Sequence, residues 1–431
     1  MDWGKFDYYA CRIRVLFLIG PAPTISRFVY TCIAHQRHSP IAPGIKKLHI
    51  NSDDPNSLSD ALLALNSGLE VVELHNPALG NREFLPLFFR TLKQDVPKLR
   101  RLLIEGQCVI NLRPILWFDN LEQVDIKLYH CHLSPRFLDR LGNLEHLRDV
   151  VLHMGAPLPS DVPPLIRPGD DQSISQRSSH RFDQIRSLHL ISEVRWTDRL
   201  MEHMDLRNVK RFVFEEVYDQ TGTRPEGFWI QFFQNLSSSA IMEEMEIRQC
   251  AQRNFGHPGY SLSATWMSSL FQHHCLTSLV ITGAAFSASD DDILSILVAF
   301  PSLTKLIFPQ SFYQNSPTMA SVLHLSLRCP GLEEVEICVG GTSPEAVRIM
   351  KERIDRIPRS HNHRLRVLRI SSFFNALQHQ DIVEYARFIH RAFPNLVTVE
   401  GVGPRAQQES WSAVQTLYMV LQTELRILRG L

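Results

Sequence analysis

Net charge is the first thing this sequence lacks: lysine plus arginine and aspartate plus glutamate number 45 each over 431 residues. A balanced chain has no overall attraction to nucleic acid or to an anionic membrane, so neither is expected as a partner and charge recognition must be local. Long apolar runs are missing as well. The longest early one, Val15 to Ile19, falls far short of the roughly 20 residues that a bilayer span needs. Asp2 and Asp7 precede it and Arg12 and Arg14 flank it, which is not the form of a signal peptide. The chain therefore reads as intracellular, in cytoplasm or nucleus. A cysteine framework is absent too: the eight cysteines, at 11, 32, 108, 131, 250, 275, 329 and 338, follow no spacing and read as reduced thiols. The single sequon Asn235-Leu236-Ser237 is then without consequence.

Catalytic motifs are equally scarce. No G-x-S-x-G, H-E-x-x-H or P-loop occurs. Gly401-Val402-Gly403 follows a strand pattern, but "GVGPRA" has no third glycine and places proline where a nucleotide-binding helix would open. His130-Cys131-His132, His273-His274-Cys275 and His361-Asn362-His363 each lack a second ligand pair at finger-like spacing, and among nineteen histidines such neighbours arise by chance. The sequence thus points to no catalytic residue, cofactor or metal.

What is present is a repeat. Variants of L-x-x-L-x-L begin at Ile45, Leu69, Leu99, Leu121, Leu147, Ile185, Val209, Met242, Leu276, Leu303, Leu332, Leu365 and Leu396, with starts 22 to 38 residues apart. Apolar fourth and sixth positions separated by mostly polar ones describe a strand with one buried face, as in Leu303-x-x-Leu306-x-Phe308. The expected fold is α/β, a leucine-rich-repeat solenoid with a curved parallel β-sheet of thirteen or fourteen strands on the concave face and helices on the convex face. Ser134-Pro135, Ser316-Pro317 and Ser343-Pro344 read as helix starts with an N-cap serine and proline at the first position. Ser289 followed by Asp290, Asp291 and Asp292 reads as another. Proline then closes helices ahead of Leu99, Leu303, Leu332 and Leu396.

The segments "CPGLEEVEI", "FPSLTKLIF" and "FPNLVTVEG", with helices such as "DDDILSILVAF" between them, resemble ribonuclease-inhibitor-like leucine-rich repeats, and more narrowly the irregular repeats of fungal F-box proteins. The resemblance spans about 13 to 402. It implies a substrate-recognition region of a ubiquitin-ligase receptor, with "RIRVLFL" as a cap-like first strand. Only about a dozen residues precede that strand, so binding of the ligase linker subunit is expected only of a longer product carrying an F-box. The asparagine or cysteine that follows the strand in regular repeats is matched here only by Cys250, so an uneven array is expected.

The organisation expected is an N-terminal remnant over 1–12, the solenoid over 13–402 with a proline- and serine-rich flexible loop inserted at 155–184, and a capping helix over 403–431. Trp411, Val414, Tyr418, Leu421, Leu425 and Leu428 supply that helix with an apolar stripe. With positions four and six inward, positions three, five and seven face out. These include Lys47, His49, Glu73, His75, Arg101, Glu105, Asp125 and Lys127 early on. Later strands carry Glu215, Glu244, Glu246, Arg248, Lys305, Glu334, Glu336 and Arg369, an acid-rich set taken as the candidate partner-binding site. The functional expectation is a monomeric, non-enzymatic protein-interaction module binding a protein partner on the concave face. The alternatives are a stand-alone scaffold or inhibitor, or an enzyme hidden on the repeat.

Overall fold

The computed structural model describes residues 3–19, 40–51, 57–75, 84–106, 112–128, 133, 135–154, 180–201, 204–217, 227–249, 261–283, 285–309, 316–340, 363–372, 377 and 379–428. Most of the inserted loop, at 155–179, lies outside them, as do Cys131, Cys250, His361 and the Ser343-Pro344 start. The chain groups into two compact units, one over Met1–Val209 and one essentially over Lys210–Leu431.

Among the described residues the main sheet of unit 1 has seven parallel strands in sequence order, beside a short parallel pair at His180–Arg181 and Met204–Asp205: β1 (Val15–Ile19), β2 (Lys47–Asn51), β3 (Val71–His75), β4 (Arg101–Gly106), β5 (Gln123–Leu128), β6 (Asp149–Met154) and β7 (Ser187–Ser192). That of unit 2 has seven more, beside a short parallel pair at Ser261–Ser263 and Ala285–Ser287: β8 (Arg211–Glu216), β9 (Glu244–Arg248), β10 (Ser278–Thr282), β11 (Lys305–Phe308), β12 (Glu334–Val339), β13 (Val367–Ser372) and β14 (Thr398–Val402). Parallel neighbours require a crossover, and helical segments such as Phe84–Asp95, Phe228–Leu236, Asp290–Ala299 and Met319–Arg328 supply it. This is the leucine-rich-repeat architecture, α/β with a parallel sheet backed on one face by helices.

The register follows the repeat residue by residue. Fourth positions lie opposite fourth positions, so Leu48, Val72, Leu102 and Val124 form one buried row in unit 1, and Leu279, Leu306, Val335 and Leu368 one in unit 2. Sixth positions form the next row inward of the same face, with Ile50, Leu74, Ile104 and Ile126 at 2 % exposure or less. The second position of each unit keeps the coils in step. Glu70 N–H donates to Lys46, Arg100 N–H to Glu70, Glu122 N–H to Arg100 and Arg148 N–H to Glu122; unit 2 repeats this from Glu243 on Lys210 to Val397 on Arg366. Several of these side chains alternate in sign and pair too, as in Lys46–Glu70 at 2.7 Å and Lys210–Glu243 at 2.5 Å.

Ser289 caps the helix over Asp290–Ala299 with a reciprocal capping box to Asp292. The start read at Ser316-Pro317 falls elsewhere: Thr318 is the N-cap of Met319–Arg328. Asp290 of the preceding coil explains the shift, since its carboxylate accepts from Thr318 N–H at 2.8 Å, Thr318 Oγ1 at 2.7 Å and Ser321 Oγ at 2.5 Å. A tertiary acceptor thus overrides the local proline signal.

The last strand would expose an unpaired edge, and the helix Arg405–Leu428 covers it. Gln415 accepts from Val399 N–H at 2.7 Å and donates to Val397 O at 3.2 Å, so an amide side chain stands in for a further strand. Tyr418 Oη donates toward Phe393 O at 2.8 Å and Leu396 O at 3.1 Å. Trp411, Val414 and Tyr418 of the expected stripe are buried, whereas Leu428 is 83 % exposed, so the stripe packs over its first half only. The final repeat carries Gly401 at its sixth position because a Cβ there would lie 2.7 Å from Trp411 Cδ1.

Candidate functional site

In each unit the third, fifth and seventh repeat positions point to the sheet face away from the core. In unit 2 the fifth-position row runs Val213, Glu246, Val280, Ile307, Glu336, Arg369 and Glu400 in register. The acid-rich set expected from the sequence divides in two. Glu215, Glu244, Glu246 and Arg248 lie on β8 and β9, Lys305, Glu334, Glu336 and Arg369 on β11 to β13, and Val280 and Ile307 occupy the row between Glu246 and Glu336.

Both groups are ion-pair networks. Arg248 donates to Glu246 at 2.7 Å and reaches Glu215 at 3.4 Å, while Arg211 lies 3.2 Å from Glu244. Arg369 is the hub of the second: Nη1 lies 2.5 Å from Glu334 and 3.9 Å from Glu336, and Nε 3.0 Å from Glu400. Lys305 adds a second cation to Glu334 at 2.9 Å. The consequences differ along one strand. Glu334 is held below its ordinary pKa, first by the Lys305 hydrogen bond and then by Arg369. Glu336, deeper on the same face, is pushed up by burial despite Arg369. The face therefore carries paired charges of both signs and not an acidic field. Arg211, Glu244 and Glu400 remain half or more exposed in their side chains.

A second constellation sits in unit 1 where sequence reasoning named the residues but did not join them. His49 and Glu73 are both fifth positions of consecutive repeats and pair in register; His75 is two residues on and lies opposite Asn51 and Glu105. His49 Nδ1 lies 3.0 Å from Glu73 Oε2, and Lys47 Nζ 2.8 Å from Glu73 Oε1. His75 Nδ1 lies 3.3 Å from Glu105 Oε2, and its buried Nε2 has no hydrogen-bond partner. The two imidazoles lean on each other with centroids 4.4 Å apart, and Phe17 of β1 packs on His49 at 5.0 Å. Burial penalises the Glu73 carboxylate, but Lys47, His49 and Arg101 together outweigh it and hold the pKa below the usual value. His75 is lowered by burial and by His49, against the raising effect of Glu105 and Glu73. One donor atom from each of His49, Glu73 and His75 lies within 4.8 Å of the others. The signal in the sequence was the equal repeat offset of His49 and Glu73, which only becomes a contact once the register is fixed.

Of the other histidine groups, His130-Cys131-His132 lies outside the described residues. His363 is buried, accepts from Leu365 N–H on Nδ1 at 3.1 Å, faces Leu325 O with Nε2 at 3.4 Å, and stacks edge-on against Phe393. His273 is buried while Cys275 is exposed and His274 bonds Ala299 O at 2.9 Å. Cys11, Cys275, Cys329 and Cys338 are free thiols, and burial pushes Cys329 up to about 11, leaving it unreactive at neutral pH. Among the described residues no helix is long and apolar enough to cross a membrane.

No family model and no curated protein matches this chain. Among solved structures it is similar to a leucine-rich-repeat protein of Leptospira interrogans, 12 % identical, with 93 % of this chain and 81 % of that chain covered at a TM-score of 0.43. It is also similar to an internalin of Listeria monocytogenes, 12 % identical, with 93 % and 85 % covered at a TM-score of 0.42. A Bacteroides fragilis protein follows at 12 % identity, 70 % and 68 % coverage and a TM-score of 0.28.

Proposed function

We propose that the chain is a non-enzymatic protein-interaction scaffold whose open sheet face in unit 2 recognises a protein partner. The observation that carries the reading is the charge lattice itself. Residues Glu215, Glu244, Glu246, Arg248, Lys305, Glu334, Glu336 and Arg369 are fixed by strand register and project from the face opposite the core. Charges of both signs, grouped on either side of the apolar Val280 and Ile307, discriminate partners by pattern and steer their encounter. The resemblance of "CPGLEEVEI" and its relatives to F-box repeats supports a finer assignment, the substrate-recognition half of a ubiquitin-ligase receptor working inside the cell. In that assignment a longer product carrying an F-box binds the ligase linker subunit, and this region captures the substrate.

Photo-crosslinking tests the site. A crosslinking residue in place of Ser278, on the open face, should trap partner protein, and one in place of Val298, 60 % exposed on a backing helix, should not. Capture should weaken as ionic strength rises. Reversing Glu244, Glu246, Glu334 and Glu336 to Lys should abolish it, and trapping from Val298 alone would refute the reading.

A further inference from the structure

The constellation in unit 1 is independent of the partner-binding reading and carries a different chemistry. We propose that His49, Glu73 and His75 form a binding site for one divalent transition-metal ion, zinc by the donor set, with Glu105 orienting His75. The three donors come from β2 and β3, adjacent strands in register, and converge within 4.8 Å. Ligands at about 2.0 to 2.2 Å from a tetrahedral ion lie about 3.4 Å apart, close to the 3.0 Å between His49 Nδ1 and Glu73 Oε2.

His75 supplies the second, independent observation. Its Nδ1 is engaged by Glu105, which leaves Nε2 buried and unpartnered. A buried imidazole nitrogen without a partner, on a ring whose other nitrogen is held by a carboxylate, has the form of a histidine that ligates zinc with its outer hydrogen bond in place. Two histidines and one glutamate leave a fourth position to water or to a group from a bound molecule. Glu73 Oε2 would face the ion while Oε1 keeps Lys47 at 2.8 Å and Arg101 at 4.0 Å. Those two cations oppose a further positive charge, so the site binds less tightly than its donors alone would, and Lys47 restrains it most. Phe17 closes one side of the His49 ring.

The test is a Co²⁺ titration of the full chain followed by visible absorption, with Zn²⁺ as competitor. One equivalent should bind with the strong visible bands of a tetrahedral site and be displaced by Zn²⁺. His75→Ala should weaken binding at least 100-fold and Glu105→Gln about 10-fold at unchanged stoichiometry. Lys47→Met should tighten it, which a merely structural histidine cluster does not explain. Metal-free melting of each variant establishes folding, and His49→Asn, at the other ligating ring, carries the same expectation should His75→Ala not fold. Binding that is unchanged in both histidine variants belongs to others of the nineteen histidines and overturns the proposal, as does the absence of one-equivalent binding.

Discussion

Arg369→Met isolates what the charge lattice contributes to unit 2. The substitution keeps most of the aliphatic stem and removes a guanidinium that touches Glu334 at 2.5 Å, Glu400 at 3.0 Å and Glu336 at 3.9 Å. An exposed pair is worth roughly 0.2 to 1 kcal/mol, and Arg369 is partly exposed, so three contacts amount to about 1 to 2 kcal/mol after screening. The carboxylates left behind, on β12 and β14, retain Lys305 alone, and their repulsion lies within that figure. For a domain of this size the loss corresponds to a fall of about 3 to 6 °C in Tm. Thermal and urea unfolding at low salt and at 1 M salt measure it: the Debye length shrinks from about 10 Å at 0.1 M to about 3 Å at 1 M, so the deficit should at least halve. The pH dependence has a sign. Glu334, with a lowered pKa, stabilises above its unfolded value and loses that as pH falls through the folded one. Glu336, with a raised pKa, opposes folding increasingly as pH rises, and more so without Arg369. Both make the deficit largest near neutrality and smallest below about pH 4. A deficit that is the same in both salts, or that persists in acid, would show that Arg369 acts by packing and not by charge.

Three further outcomes follow from buried positions. Leu306→Asp, fully buried between Leu279 and Val335, should lower unfolding free energy by several kcal/mol and melt the adjoining coils in hydrogen exchange; wild-type stability would mean that the strand register is displaced by one residue. Tyr418→Phe removes the hydroxyl bonded to Phe393 O and Leu396 O and should cost about 1 to 2 kcal/mol, with faster amide exchange over Thr398–Val402; unchanged exchange there would sink the edge-covering role. Asp125→Asn should stabilise unit 1 at neutral pH by on the order of 1 kcal/mol, because Oδ1 is buried without a partner and burial raises the carboxyl pKa. A raised folded pKa penalises the ionised form, so the gain should grow as pH rises through it and vanish in acid, and an acid-stable gain would point to shape instead.

The strands were legible because burial has a period. Every repeat start from Ile45 to Leu396 precedes a strand, and the fourth positions are buried throughout. What misled was the outer face. Leu103, Val213, Val280 and Ile307 occupy fifth positions that alternation assigns to solvent, yet each is 9 % exposed or less. The helix start at Thr318 was hidden for a similar reason, since its decisive acceptor is Asp290, one coil earlier. In a parallel repeat the nearest neighbour of a surface residue is about 30 residues away in sequence, and no local pattern reports it.

The same distance explains why the acid-rich set read from the sequence became two charge lattices. Composition along one strand lists Glu334 and Glu336 together, but their energetics are set by Lys305 on the strand before and Arg369 on the strand after. His49, Glu73 and His75 are the converse case, residues that look unrelated in sequence and converge from the fifth and seventh positions of successive repeats. The informative unit on such a surface is the cross-strand row and not the strand. Sequence rows aligned by repeat position, Lys47 with Val71 and Arg101, His49 with Glu73 and Leu103, Asn51 with His75 and Glu105, expose charge pairs and donor sets that reading along the chain conceals. A repeat protein changes its chemistry most cheaply by substitution within such rows, because the fourth and sixth positions that hold the fold lie on the other face.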